Sequence, residues 1–501
     1  MLCHPDIARS FRGDHPIRPF ICLLEHRRMD IQTKARARCH WLPNLDEAAA
    51  PLYQALVERL AADIAAGTLA PGERLPPQRL LADALKVTVG TITRAYREAE
   101  RRGLVEAKVG SGTRVRSLAA DAPAFHHLSH APDGSVDLSL NVPIPHPMRA
   151  QQLAAVMERL AHRPGAIDAA LAYQPEQGSQ TSREALAGWL TEQGVPMGAD
   201  ELILTSGGQH ADYLALQALV QPGEAVASAA LTFPGMIAAA RQLGLKHLAV
   251  PMDDEGILPE ALERLCLQQK IRLLYLMPEH NNPTGARMGQ ARRKAIVEVA
   301  RRHDLLLLED GVQFVTAAMR GMPFYRLAPE RSLYIFSVSK LLAGGLRLGA
   351  LRAPANLMGR LTASLRAQYW AVPELMASAA IEWLVSADAK TLIDWQWQEV
   401  AARQRLLAER LKGHAISAHP CGFHAWLTLP EPWRAVDLVT RAAERGVTVI
   451  GADPFCVGSQ PAPQAVRICV TPPAERARLD EGLTRLAALL DEEPRRDSPL
   501  V

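Results

Sequence analysis

Six short apolar runs recur between stretches of helical periodicity: "ELILTS", "GEAVAS", "HLAVPM", "IRLLYLM", "LLLLED" and "LYIFSVS". Strands this apolar must be covered on both faces, and strands that alternate with helices pair in parallel. The spacing therefore predicts an α/β domain on a mainly parallel sheet. Such sheets bind ligands beyond the carboxyl ends of their strands. Polar residues gather there: Ser206-Gly207-Gly208 after one run, Glu309-Asp310 ending another, and Ser337 to Lys340 ending a third.

A chain of 501 residues exceeds one hydrophobic core, and 48% hydrophobic with 22% charged residues is a globular composition. The net charge of +3 is uneven. Residues 1–38 carry eight Lys/Arg against four Asp/Glu, and 51–116 carry eleven against seven, so the positive field lies at the N-terminal end and permits a nucleic-acid partner. Seven cysteines without a CxxC spacing read as free thiols in a reducing cytoplasm. No apolar run is long enough to span a bilayer, and the N-terminus lacks a continuous apolar segment, so no membrane partner is expected. Residues 1–48 read as a basic, irregular extension in which Met1 and Met29 are both candidate starts.

Residues 49–116 form a first module. "PLYQALVERLAADIAAG" places Leu52, Leu56, Leu60 and Ile64 on one helical face and stops at Gly67. A second helix starts at the Pro76-Pro77 pair. A third follows Thr88 as N-cap, with Val89, Ile92, Tyr96 and Ala99 facing inward. "LVEAKVGSGTRVRS" then alternates around Gly110 and Gly112 as a two-stranded wing. Helix, helix-turn-helix and wing is an architecture whose third helix enters the DNA major groove. Residues 117–136 read as a linker, in which His126, His127 and His130 are solvated rather than metal ligands. A large domain over 137–375, a smaller α/β domain over 376–490 and a polar tail over 491–501 complete the chain.

Lys340 closes an apolar strand, where an unpaired ammonium is costly to bury. A depressed pKa, or an imine with a carbonyl cofactor such as pyridoxal phosphate, resolves that cost. Each other need of that cofactor has a candidate. Its phosphate suits the Gly207-Gly208-Gln209 turn at a helix start, with Ser337 and Arg347 adding a hydroxyl and a fixed cation. Gly344 and Gly345 let the backbone bend so that Arg347 returns toward Ser337. Asp310 emerges from its strand where the pyridine nitrogen needs an acid; Glu309 is its rival, but of two neighbours on a strand one faces away. Phe233 can stack on the ring, Asn282 in "NNPTG" can donate to the ring hydroxyl, and Arg467 can grip a carboxylate.

With these motifs in order, residues 137–490 resemble fold-type I, class I/II aminotransferases. The N-terminal LPxxR, turn and GxGT set resembles GntR-type winged helices. Together, from about residue 41, the chain looks like a MocR-type regulator. The resemblance implies that Lys340 forms the cofactor aldimine, Asp310 pairs with the pyridinium, and Asn282 meets the ring hydroxyl. Gly208, Gln209, Ser337 and Arg347 would hold phosphate, and Arg467 an amino-acid carboxylate. Tyr173 would reach the partner subunit's cofactor in a head-to-tail homodimer. Arg79, Thr88, Thr91, Thr93, Arg94 and Lys108 would face DNA. Four positions depart from the pattern: Val89-Gly90 where relatives carry Arg, Val312 or Gln313 in place of a Tyr, Phe233 in place of Tyr, and Gly208 in place of Ser. The function implied is a cytoplasmic, pyridoxal-phosphate-dependent regulator that senses the cofactor, an amino acid or an amine. The alternative is an active aminotransferase with a secondary DNA-binding arm, and any transamination is expected to be weak or limited to a half-reaction.

Overall fold

The structure, a computed structural model, describes residues 41–43, 51–70, 72–101, 104–108, 112–115, 134–458 and 461–492. They form two compact units, one within 1–122 and one within 123–501. The basic extension apart from residues 41–43, the linker histidines, Gly110 and the tail beyond 492 lie outside the described residues.

The first unit contains α1 (Leu52–Ala65), α2 (Gln78–Leu85), α3 (Val89–Arg101) and the antiparallel pair β1 (Val105–Lys108) and β2 (Gly112–Val115). The turn into α3 is capped as the sequence predicts, with Thr91 N donating to Thr88 Oγ1 at 3.2 Å. Leu56, Leu60, Leu81, Ile92, Tyr96 and Val115 share one core, against which Trp41 packs while its indole donates to Asp63 at 2.9 Å. Two inward assignments are corrected. Leu52 is 51% and Val89 is 42% exposed. Each is the first residue of its helix, and that first turn overshoots so small a core.

The second unit is built on a sheet of seven strands: β4 (Leu202–Thr205), β5 (Ala225–Ala229), β6 (Lys246–Val250), β9 (Ile271–Leu276), β10 (Leu306–Asp310), β11 (Ser332–Ser337) and β12 (Gly349–Arg352). Their order across the sheet is β4-β12-β11-β10-β9-β5-β6. A short hairpin, β7 (Met252–Asp253) and β8 (Gly256–Ile257), follows β6. The six apolar runs become β4, β5, β6, β9, β10 and β11; β12 runs antiparallel to both its neighbours. Helices α4 (Gly208–Leu219), α5 (Pro234–Gln242) and α6 (Gln290–Arg302) connect them. Along β10, Leu306 and Leu308 join one apolar layer and Leu307 the other, so the sheet is covered on both faces.

A C-terminal module carries an antiparallel sheet in which β13 (Ala415–Ala418), β14 (His424–Thr428), β17 (Ala465–Cys469) and β16 (Ile450–Gly451) lie side by side in that order. Helices α7 (Ala387–Arg410) and α8 (Arg476–Leu490) pack on it through Leu407, Leu479 and Leu483. Its β15 (Val447–Thr448) pairs in parallel with β3 (Val136–Asp137). The strand that opens the second unit thus packs with its end, which a linear boundary near 376 does not convey.

Candidate functional site

The carboxyl ends of β4, β10 and β11 open on a cavity of about 490 Å³. One end is shaped by backbone. β4 leads into Gly207, whose φ of 85° makes the turn into α4, so the free N–H groups of that helix start at the cavity wall. Arg347 reaches back across the sheet and donates to Ser206 O at 3.1 Å. The bend assigned to Gly344 and Gly345 lies elsewhere: Arg347 itself has φ 47°, while those glycines enter an ordinary 3₁₀ turn. The glycine that Arg347 requires is Gly207, where a Cβ would lie 2.7 Å from its guanidinium. Ser337 Oγ donates to Leu348 O at 3.1 Å and lies 2.9 Å from Ser339 Oγ, rather than meeting Arg347. Gln209 donates its amide to Gly235 O at 3.0 Å, beside the Phe233 ring.

The centre of the cavity carries opposed charges. Burial, with help from Arg467 and Arg347, lowers Lys340 to about 8, against the pull of Cys469 and Asp310. Its Nζ donates to Asn141 O. Asp310 accepts from Tyr275 O–H at 2.6 Å and Val312 N–H at 2.8 Å. Burial raises the pKa of Asp310, while these two donors and Lys340 draw it down.

At the far end, Arg467 on β17 is buried over the Phe455 ring at 4.8 Å. It donates to Asn282 Oδ1 at 2.8 Å and Ser139 O at 2.7 Å, and its Nε has no partner among the described residues. Asn141 Oδ1 is likewise buried without a partner among the described residues.

The cavity thus brings together Gly208, Gln209, Phe233, Asn282, Asp310, Ser337, Lys340, Arg347 and Arg467, which lie on widely separated stretches of the sequence. Tyr173 is not among them. It is 91% exposed, with its ring 5.9 Å from that of Trp370 on the surface. Sequence reasoning missed Asp212, Ser139, Asn141 and Phe455, which also line the cavity. For Asp212 a signal existed: it is an acid set on the helix face that Gly208, Ala211, Ala215 and Leu219 bury.

Behind Lys340, His280, His419 and His424 are buried together, with ring centroids of His280 and His424 4.3 Å apart. Burial lowers His280 to about 3 and His419 to about 4, so both are neutral. Among the described residues no cluster of side chains suits a metal ion, and no helix is long and apolar enough to cross a membrane.

In the first unit, Arg79, Thr88 and Arg94 are exposed, and the Arg94 guanidinium stacks 4.3 Å from the Tyr53 ring centroid. Thr91 Oγ1 lies 2.9 Å from Thr88 Oγ1. Thr93 spends its hydroxyl internally, on Gln78 Oε1 at 2.7 Å and Val89 O at 3.0 Å. Lys108 ends β1, and its side chain lies outside what the structure describes.

Two family descriptions match the chain: "Aminotransferase class I and II" over residues 136–486, and "Bacterial regulatory proteins, gntR family" over 52–115. A Bacillus subtilis protein named as the uncharacterized HTH-type transcriptional regulator YdeF is 29% identical, over 90% of this chain and 97% of its own length. The vitamin B6 salvage pathway transcriptional repressor PtsJ of Salmonella typhimurium is 30% identical, over 73% of this chain and 83% of its own. Among solved structures, an archaeal alanine:glyoxylate aminotransferase superposes with a TM-score of 0.65 at 24% identity, covering 72% of this chain and 92% of that one. That last likeness speaks to the fold.

Proposed function

Because this chain belongs to the class I and II aminotransferase family and carries a gntR-family module ahead of that domain, we propose that it is a pyridoxal-phosphate-dependent, DNA-binding transcription regulator. The observation that carries this reading is the cavity, whose donors and charges fit that cofactor, in the same chain as a winged helix. Three cations, Lys340, Arg347 and Arg467, face the carboxylate of Asp310 there, a surplus that suits a phosphate and a second anion. Orphaned buried atoms on Asn141 and Arg467 add unmet hydrogen-bonding capacity at the same place.

In this reading the α4 N-terminus, Gly208, Gln209, Ser337 and Arg347 hold the phosphate. Asp310 faces the ring nitrogen, Phe233 the ring face and Asn282 the ring hydroxyl. When bound, the cofactor supplies an aldehyde that captures an amine and a ring that withdraws electrons from it. Lys340, whose ammonium burial makes easier to deprotonate than an ordinary lysine's, is the amine that anchors it. Arg467, kept in place by Asn282 and Ser139, receives the carboxylate of an amino-acid effector. Residues 137–375 and 376–490 act as the two lobes around this site, and 49–116 reads DNA through Arg79, Thr88, Thr91 and Arg94, with Lys108 on the wing. Leu171, Tyr173 and Trp370, exposed together, suit the face of a head-to-tail homodimer in which Tyr173 serves the partner's cavity.

Gel mobility of the chain's own upstream DNA, with and without pyridoxal phosphate and a panel of amino acids and amines, tests the proposal. A shift that changes with ligand is the expected result; no retardation under any condition overturns it. A second reading, turnover as an aminotransferase, is favoured by the intact Arg467–Asn282 pair. Pyridoxamine phosphate formed in single turnover with an amino acid would support it.

A further inference from the structure

Asp212 is the least anticipated side chain in the cavity. It is 1% exposed on the buried face of α4, lines the same space as Asp310, and has no ion-pair partner among the described residues. Its Oδ1 lacks a hydrogen-bond partner there too. Ionising this carboxyl is costly, because no hydrogen bond replaces the water that Oδ1 has lost. The two carboxyls differ in their surroundings. Asp310 accepts from Tyr275 O–H and Val312 N–H, whereas Asp212 accepts from neither. Donors favour the charged form, so the charge settles on Asp310 and the proton on Asp212. Burial and the charge of Asp310 both raise Asp212 in the same sense.

Resting on the cofactor reading above, we propose that Asp212 is a second carboxyl of the ring-nitrogen site: a neutral acid beside the Asp310 carboxylate that offers its O–H to a nitrogen-containing aromatic ring. The pair then presents one acceptor and one donor. Asp310 accepts from a protonated ring nitrogen and Asp212 donates to an unprotonated one. A ring with carbon in place of that nitrogen satisfies neither.

The test is equilibrium binding of pyridoxal phosphate and of its 1-deaza analogue to the full-length ligand-free protein, with thermal unfolding as a control for folding. Both ligands carry the same aldehyde and phosphate, so their affinity ratio isolates the ring nitrogen. Asp212→Asn keeps a neutral donor and is expected to hold the wild-type ratio within about twofold. Asp212→Leu is expected to lower the ratio about tenfold, the size of one lost hydrogen bond, with affinity for the analogue retained. An unchanged ratio in Asp212→Leu, or an equal loss for both ligands, overturns the inference alone. Wild type that binds neither ligand overturns the cofactor reading and this inference with it.

Discussion

Glu309 and Asp310 are neighbours on β10, yet they belong to two differently built regions. On the Glu309 side, Arg293 is fully buried and donates to Glu279 at 2.8 Å and to the carbonyls of Met288 and Met322 at 3.1 and 3.2 Å. Glu309 accepts from Phe324 N at 2.7 Å. Burial raises it to about 8 against the pull of Arg293, which leaves Glu279 as the counter-charge. That cluster is neutral and closed. On the Asp310 side, cations outnumber the ionised acid, atoms of Asp212, Asn141 and Arg467 have no partner among the described residues, and a cavity stands open. Buried charge that is saturated holds a fold together, and buried charge left unsaturated around a cavity marks a binding site.

The strongest way to break this distinction is Arg293→Met. It strands Glu279 without its cation and is expected to cost about 3–5 kcal/mol in urea unfolding of the ligand-free protein. Asp310→Asn is expected to change that stability by less than about 1 kcal/mol while weakening pyridoxal phosphate binding. Equal losses would erase the contrast.

Gly208→Ser acts on the Asp310 side of β10. A Cβ there would lie 2.5 Å from Val312 Cγ2, so the serine is expected to destabilise by about 1–3 kcal/mol. Val312→Ala should recover most of that loss in a double-mutant cycle. Additive losses would show that the two departures from the family pattern are unrelated.

The smallest effect is a pH dependence. With Lys340 lowered to about 8, the unfolded chain binds more protons than the folded one between about 8 and the usual lysine value near 10.4, so this group makes stability rise with pH across that window. Chemical unfolding of the ligand-free protein at several pH values should show a rise that Lys340→Met lacks. Parallel curves would mean that Lys340 is not desolvated.

Much of the cavity's lining was legible because strand ends announce themselves. Asp310 ends β10 and Lys340 lies in the turn just beyond β11, and a charged residue there has few structural excuses. What escaped depended on contacts between distant segments. Arg347 looked as though it needed Gly344 and Gly345, but its close approach is to Gly207, well over a hundred residues away, and the left-handed bend falls on Arg347 itself. Asp212 passed as one polar residue in a helix until the fold set it beside Asp310. Val89 matched the apolar period of α3, but periodicity does not say where a core ends. Thr93 pointed to DNA by pattern, while its hydroxyl is held by Gln78 on the neighbouring helix.

The central claim is that Lys340 anchors pyridoxal phosphate in this cavity. Borohydride reduction of the cofactor-loaded protein, followed by peptide mass mapping, tests it most directly. A reduced pyridoxyl adduct is expected on the peptide containing Lys340, and none when Lys340→Ala is treated in the same way. An adduct confined to other lysines, or no reducible absorbance in the wild type, would contradict it.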